Sequence, residues 1–125
     1  MAKITITVGD ERFDATLDEQ GAPETVRAIL DALPIEGQAN TWGDEIYFGI
    51  PVELEEDDAQ AVVELGDLGY WPPGNALCIF FGPTPASTGS EIRPASPVNV
   101  WGRIVGDAKA FKGVPSGTKV VVERA

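Results

Sequence analysis

Residues Gly66–Pro85 read GDLGYWPPGNALCIFFGPTP. Two short apolar runs, Leu68 to Tyr70 and Ala76 to Phe81, flank the bend Pro72-Pro73-Gly74-Asn75. Runs of this length, rich in aromatic and branched residues and bounded by turn formers, are predicted to be strands. Proline fixes φ at both positions of the Pro-Pro pair, so the bend is stiff. The same grammar of short apolar runs between Gly, Pro, Asn and Asp extends outward in both directions. It predicts strands at Glu45 to Ile50, Val52 to Glu55, Val98 to Ile104 and Thr118 to Arg124. That is how a barrel or sandwich of short strands reads.

The N-terminal third completes the set. Ile4, Ile6 and Val8 alternate on one face, Gly9-Asp10 is a turn signal, and Phe13, Ala15 and Leu17 alternate again, so Lys3 to Val8 and Arg12 to Leu17 are predicted to form a hairpin. The period then changes. Val26, Ile29, Leu30 and Leu33 fall at i, i+3, i+4 and i+7, the stripe of an amphipathic helix. Pro23 suits its first turn, Glu24 complements the positive end of its dipole and Pro34 ends it, giving one main helix over 23–33. Asp107 to Lys112 is predicted to add a short helical turn. No internal repeat or low-complexity tract interrupts this pattern, and 1–125 reads as one domain of a size that buries a full core.

Composition removes several classes of chemistry. The chain has no histidine and one cysteine, which excludes Ser/His and Cys/His nucleophile pairs and nearly excludes a zinc site. No metal and no cofactor is expected. Cys78 lies in an apolar run and reads as a small buried side chain. The net charge of −11 is uneven: residues 1–92 hold 18 acids and 3 bases, and residues 93–125 hold 2 acids and 6 bases. So acidic a surface disfavours a nucleic-acid partner. No apolar run approaches the roughly 20 residues of a membrane span. MAKITITVGD alternates like a strand rather than like an export leader, so a cytoplasmic location is expected.

Few stretches can carry chemistry. Tyr70 and Trp71 precede the Pro-Pro-Gly bend, so a ring is expected to be held at a strand end as a binding wall. Phe80 and Phe81 are adjacent on one strand and must face opposite sides. The segment Thr84 to Pro97, TPASTGSEIRPASP, is the longest irregular stretch and is expected to form binding surface or a flap. Glu53 to Asp58, ELEEDD, lacks the alternate acids, central glycine and terminal glutamate of a calcium loop and reads as a solvated charged loop.

The order of these motifs resembles that of the cyclophilins, and more closely the short prokaryotic cyclophilin-like domains. Phe13 to Leu17 followed by Gly21 to Leu30 (GAPETVRAIL) resembles the cyclophilin strand and its Pro-Lys-Thr-Val-Glu-Asn-Phe helix. Cys78 to Phe81 resembles the Ser-Gln-Phe-Phe strand, Val98 to Val105 resembles His-Val-Val-Phe-Gly-Lys-Val-Val, and Thr118 to Glu123 matches the closing strand. GDEIYF at Gly43 to Phe48 and GDLGYWPPG at Gly66 to Gly74 fit the short group better than the true isomerases.

The resemblance implies a mainly β fold, a closed barrel of about eight strands, with a proline-binding groove on its outer face. It also implies peptidyl-prolyl isomerase chemistry, from which this chain departs at the working positions. The catalytic-arginine position falls at Phe48, the histidine position at Val98 and the tryptophan position near Arg93; the groove-floor aromatic is carried over to Phe81. Phe48, Tyr70, Trp71, Phe81 and Asn99 are therefore the expected ligand-binding residues, with Arg93 and Arg103 as substitute catalytic donors. The expected function is a binding domain, monomeric or weakly dimeric, for a peptide segment or small molecule, with isomerase activity weak or absent. The alternative is an atypical isomerase that uses Arg93 or Arg103.

Overall fold

A computed structural model of the chain describes residues 3–125. Nine strands form one sheet among them: β1 (Lys3–Val8), β2 (Glu11–Leu17), β3 (Ile35–Gln38), β4 (Asn40–Thr41), β5 (Glu45–Gly49), β6 (Asp67–Trp71), β7 (Ala76–Phe80), β8 (Asn99–Ile104) and β9 (Lys119–Arg124). The strand order is β3-β9-β1-β2-β8-β6-β7-β5-β4, with every neighbouring pair antiparallel. The two outermost strands, β3 and β4, are consecutive in the chain and separated by Ala39 alone, so the curled sheet is a nearly closed barrel. Closure of this kind protects sheet edges that would otherwise be free to pair.

Alternation decides what fills the barrel. Ile4, Ile6 and Val8 of β1, Ile46 and Phe48 of β5, Leu68 and Tyr70 of β6, Leu77 and Ile79 of β7 and Val120 and Val122 of β9 all belong to one buried cluster. Trp101 and Phe111 join it fully buried. The ring of Phe111 stacks on Phe13 at 4.2 Å and on Phe81 at 6.0 Å. Each such large side chain contributes roughly 1.5–3 kcal/mol by leaving water.

The main helix, α1 (Pro23–Ala32), ends one residue earlier than the periodicity suggests and packs Val26 and Ile29 into the core. Its N-cap, Ala22, has no side chain able to satisfy the free amides of the first turn. Asp57 does so from a distant loop: Oδ2 accepts from the Glu24 N–H (3.1 Å), the Thr25 N–H (3.2 Å) and the Thr25 hydroxyl (3.3 Å). One acid of the ELEEDD run thus caps a helix. Asp57→Ala is expected to lower stability by about 1–2 kcal/mol in urea unfolding, and Asp57→Asn by less, since the amide oxygen still accepts.

Two strand expectations change. Val52 to Glu55 is not a strand. Its alternation is real, but its backbone is satisfied by a side chain: the Tyr70 hydroxyl donates to the Val52 carbonyl (2.7 Å) and accepts from the Leu54 N–H (3.1 Å). Conversely β3 and β4 form where none was predicted. A Cβ on Gly37 would lie 2.5 Å from Cδ2 of Phe48, so glycine, a weak strand former, is required where that ring packs across the barrel. The turn predicted at 107–112 is a single 3-10 turn, Ala108–Phe111, capped by Asp107, whose Oδ1 accepts from the Lys109 N–H at 2.9 Å.

Candidate functional site

The outward face of β5, β6, β7 and β8 is not a bare surface. Ala76, Cys78, Phe80 and Val98 form a second buried cluster there, closed over by Val63 and Ile92 from the two long loops. The loops are held to the sheet and to one another by isolated bridges, Gln60 to Val98 and Val63 to Ile92. Next to this cluster the covering is incomplete. A cavity of about 260 Å³ opens between Trp42, Glu45, Tyr47, Trp71, Cys78, Pro94, Ala95 and Val98.

Each wall has a local cause. Tyr47 pairs with Cys78 in the β5–β7 register, so both project outward beside Glu45 while Ile46 and Phe48 turn in. Trp42 comes from the β4–β5 turn, closed by the Trp42 N–H donating to the Glu45 carbonyl at 3.0 Å. Trp71 ends β6 and lies against the 3-10 turn Pro72–Gly74. A Cβ on Gly74 would fall 2.6 Å from Cζ3 of its ring, and the indole N–H donates to Ser96 Oγ at 2.7 Å. The ring is thus clamped between the bend and the 84–97 loop. Gly74→Ala is expected to displace the indole, cost about 1–2 kcal/mol of stability and break the Ser96 bond, visible as a shift of the Trp71 indole resonance.

At the base of the cavity Glu45 is 5% exposed. No ion pair among the described residues involves it. Burial raises its carboxyl from 4.5 to about 7, only partly offset by the neighbouring Cys78 thiol. The same burial, with the Glu45 carboxylate alongside, pushes the Cys78 thiol well up and makes it a poor nucleophile.

Strand parity separates the residues expected to act together. Trp71 lines the cavity, whereas Tyr70, Phe48 and Phe81 point into the barrel at 0%, 1% and 4% exposure. Asn99 is fully buried: its Oδ1 accepts from the Asp57 N–H (2.8 Å) and its Nδ2 donates to Thr25 Oγ1 (3.1 Å) and the Glu55 carbonyl (3.0 Å). These four side chains hold the fold around the site and do not line the cavity. Arg103 lies at a second, more polar hollow of about 340 Å³ with Thr16, Asp18 and Asp67. Its guanidinium donates to Asp67 Oδ1 (3.0 Å) and Glu64 Oε2 (3.1 Å). Arg93 is on the loop that rims the first cavity, but its Nε donates to Glu91 Oε2 at 3.2 Å. Glu91 also accepts from the Thr88 and Gly89 amides, which hold its carboxyl down at about 2.

The family model described as cyclophilin-like matches residues 2–123. The chain belongs to the cyclophilin-like family. No functionally curated protein matches it. Among solved structures it is similar to the solution structure of the hypothetical protein AF2241 from Archaeoglobus fulgidus, at 53% identity and a TM-score of 0.84, covering 99% of this chain and 95% of that one. Set on the cyclophilin-like barrel, the departures found in the sequence have a spatial meaning. Phe48, expected from the resemblance to stand at the catalytic-arginine position, turns into the core, and Val98, expected at the histidine position, is a buried part of the outer-face cluster. Trp42, Glu45, Tyr47 and Cys78 were absent from the expected site. The alternation E-I-Y-F was the available signal, since placing Ile46 and Phe48 inward leaves Glu45 and Tyr47 facing Trp71's side of the sheet. In a cyclophilin-like chain no helix among the described residues is long and apolar enough to cross a membrane.

Proposed function

We propose that this domain binds an apolar small molecule or a short, proline-containing peptide segment in the outer-face cavity, with prolyl isomerase activity weak or absent. The observation that carries this reading is the clamped Trp71 ring facing Tyr47 and Trp42 across a preformed hollow. An aromatic already fixed in place loses little entropy when a ligand arrives, and a concave apolar site with few polar groups is the usual form of a binding pocket. Isomerisation needs a donor that stabilises the twisted prolyl amide across a barrier of about 18–20 kcal/mol. The two arginines on offer are each engaged by carboxylates, Arg93 by Glu91 and Arg103 by Asp67 and Glu64. The domain acts as a monomer or weak homodimer in this reading.

Tryptophan fluorescence during titration with an Ala-Pro-containing tetrapeptide and with 2-phenylethanol tests the binding half. Saturable change in the native chain that disappears in Trp71→Ala is expected; no response to either probe contradicts it. Exchange spectroscopy on the same peptide tests the rest. Cis/trans exchange no faster than in buffer is expected, and acceleration lost in Arg93→Ala would establish the isomerase instead.

A further inference from the structure

The cavity holds one feature that an apolar pocket does not need. Glu45 is nine-tenths buried in the wall it shares with Trp42, Tyr47, Trp71 and Cys78, and among the described residues no cation pairs with it. Two bases on neighbouring segments are engaged by other carboxylates: Lys112 approaches Asp44, the residue before Glu45, at 3.6 Å, and Arg93, the residue before the cavity-lining Pro94, pairs with Glu91. Burying a carboxyl without a counter-ion is costly, and structural positions avoid it. Three aromatic rings around a carboxylate form the arrangement that attracts a positive charge, through the ring quadrupoles and the ion pair together. The acidic excess of residues 1–92, 18 acids against 3 bases, favours the approach of cations over anions.

We propose that the pocket is a site for an organic cation, a protonated amine on an apolar body, whose ammonium group pairs with Glu45 while Trp42, Tyr47 and Trp71 enclose the remainder. This inference rests on the binding reading above and adds the chemical class of the ligand. It explains why a carboxylate persists where glutamine or methionine would pack: the missing partner is supplied by the ligand. Tyr47 and Cys78 are the titratable side chains beside Glu45 in the cavity wall, and burial together with the neighbouring carboxylate pushes the Cys78 thiol well up, so the negative charge of the site is that of Glu45.

The test compares phenethylammonium with its neutral isostere 2-phenylethanol, by calorimetry and by indole resonances, on the whole chain. Near pH 8 the cation is expected to bind at least about tenfold more tightly. Its affinity should fall about tenfold toward pH 6, as Glu45 takes up its proton, while that of the alcohol stays flat. Glu45→Gln, checked for folding by its amide spectrum, should abolish the preference. The pH dependence of the native chain gives the answer independently if that variant misfolds. An N-acetyl-lysine methylamide arm separates the sources of the charge: binding tighter than phenethylammonium assigns the ammonium to a lysine of a peptide, and weaker binding assigns it to a free amine. Equal affinity for phenethylammonium and phenylethanol overturns the cation inference and leaves the apolar pocket standing. No binding of either, together with no response to the Ala-Pro peptide, overturns both.

Discussion

Replacing Glu45 by glutamine is expected to make the protein more stable near pH 8 and to change little near pH 4. In the unfolded chain this carboxyl titrates close to its ordinary value of 4.5, whereas in the fold it titrates at about 7. The folded state therefore holds the proton more tightly. Its full contribution is present below about pH 4.5, is lost progressively as the pH rises through the window to about 7, and stays lost above it. A displacement of this size corresponds to about 3 kcal/mol, or on the order of 10 °C in melting temperature for a domain of this length. Glutamine carries no charge to desolvate, so its unfolding midpoint in urea should lose that slope between pH 5 and pH 7. A native chain equally stable at pH 5 and pH 8, after allowance for its other carboxylates, would show that Glu45 is not held in the buried position described. The expected gain is also the physical signature of a functional residue: a group that lowers the stability of the free protein persists when something other than folding requires it.

Asn99→Ala is expected to have the largest opposite effect, a loss of about 3–4 kcal/mol. Its amide is fully buried and joins three segments, with Asp57 N–H, Thr25 Oγ1 and the Glu55 carbonyl as partners. Truncation leaves those groups facing a small cavity, and each unmatched buried group costs about 1–3 kcal/mol. The damage spreads along a defined path. Asp57, no longer positioned by Asn99, releases the N-terminal amides of α1, and the 51–58 segment keeps its hydrogen bonds to the Tyr70 hydroxyl and the core packing of Val52 and Leu54. Amide exchange should therefore quicken at Glu24, Thr25 and Leu54 before it does in the strands β1, β2 and β9. Uniform protection across these positions in the variant would mean that the amide network does not organise the loop. Such a loss of fold stability separates the role seen in the structure from the ligand contact expected of Asn99 on sequence grounds.

The fold was legible wherever local signals agreed. The hairpin of β1 and β2, α1 and the runs that became β5 to β9 all combine a clear period with turn residues at both ends. What failed had no local signature. β3 carries a glycine because Phe48 packs over it, a contact between separate strands that no local pattern announces. Val52 to Glu55 alternates like a strand but is held by one tyrosine hydroxyl. The site was legible in part for the same reason. Trp71 and its stiff bend stand out in composition, yet which of two adjacent aromatics faces the outer cavity depends on parity, and parity is ambiguous where both faces of the sheet are buried. Phe80 and Phe81 illustrate this: one lies under the loops and the other inside the barrel, and both are buried. Glu45 escaped notice because an acid at a strand start ordinarily reads as solvated; only the packing of Trp42 and the 94–95 segment around it makes it unusual.

In the proposed function, ligands enter between Trp42, Tyr47 and Trp71 on the outer face rather than at Arg103 or inside the barrel. Amide and indole chemical-shift mapping of the whole chain, saturated with phenethylammonium or, failing binding, with 2-phenylethanol, addresses it most directly. The expected result is a single cluster of perturbations at Trp42, Glu45, Tyr47, Trp71, Cys78 and Val98. Perturbations centred on Thr16 to Asp18, Asp67 and Arg103, or none at the Trp42 and Trp71 indoles, would contradict it.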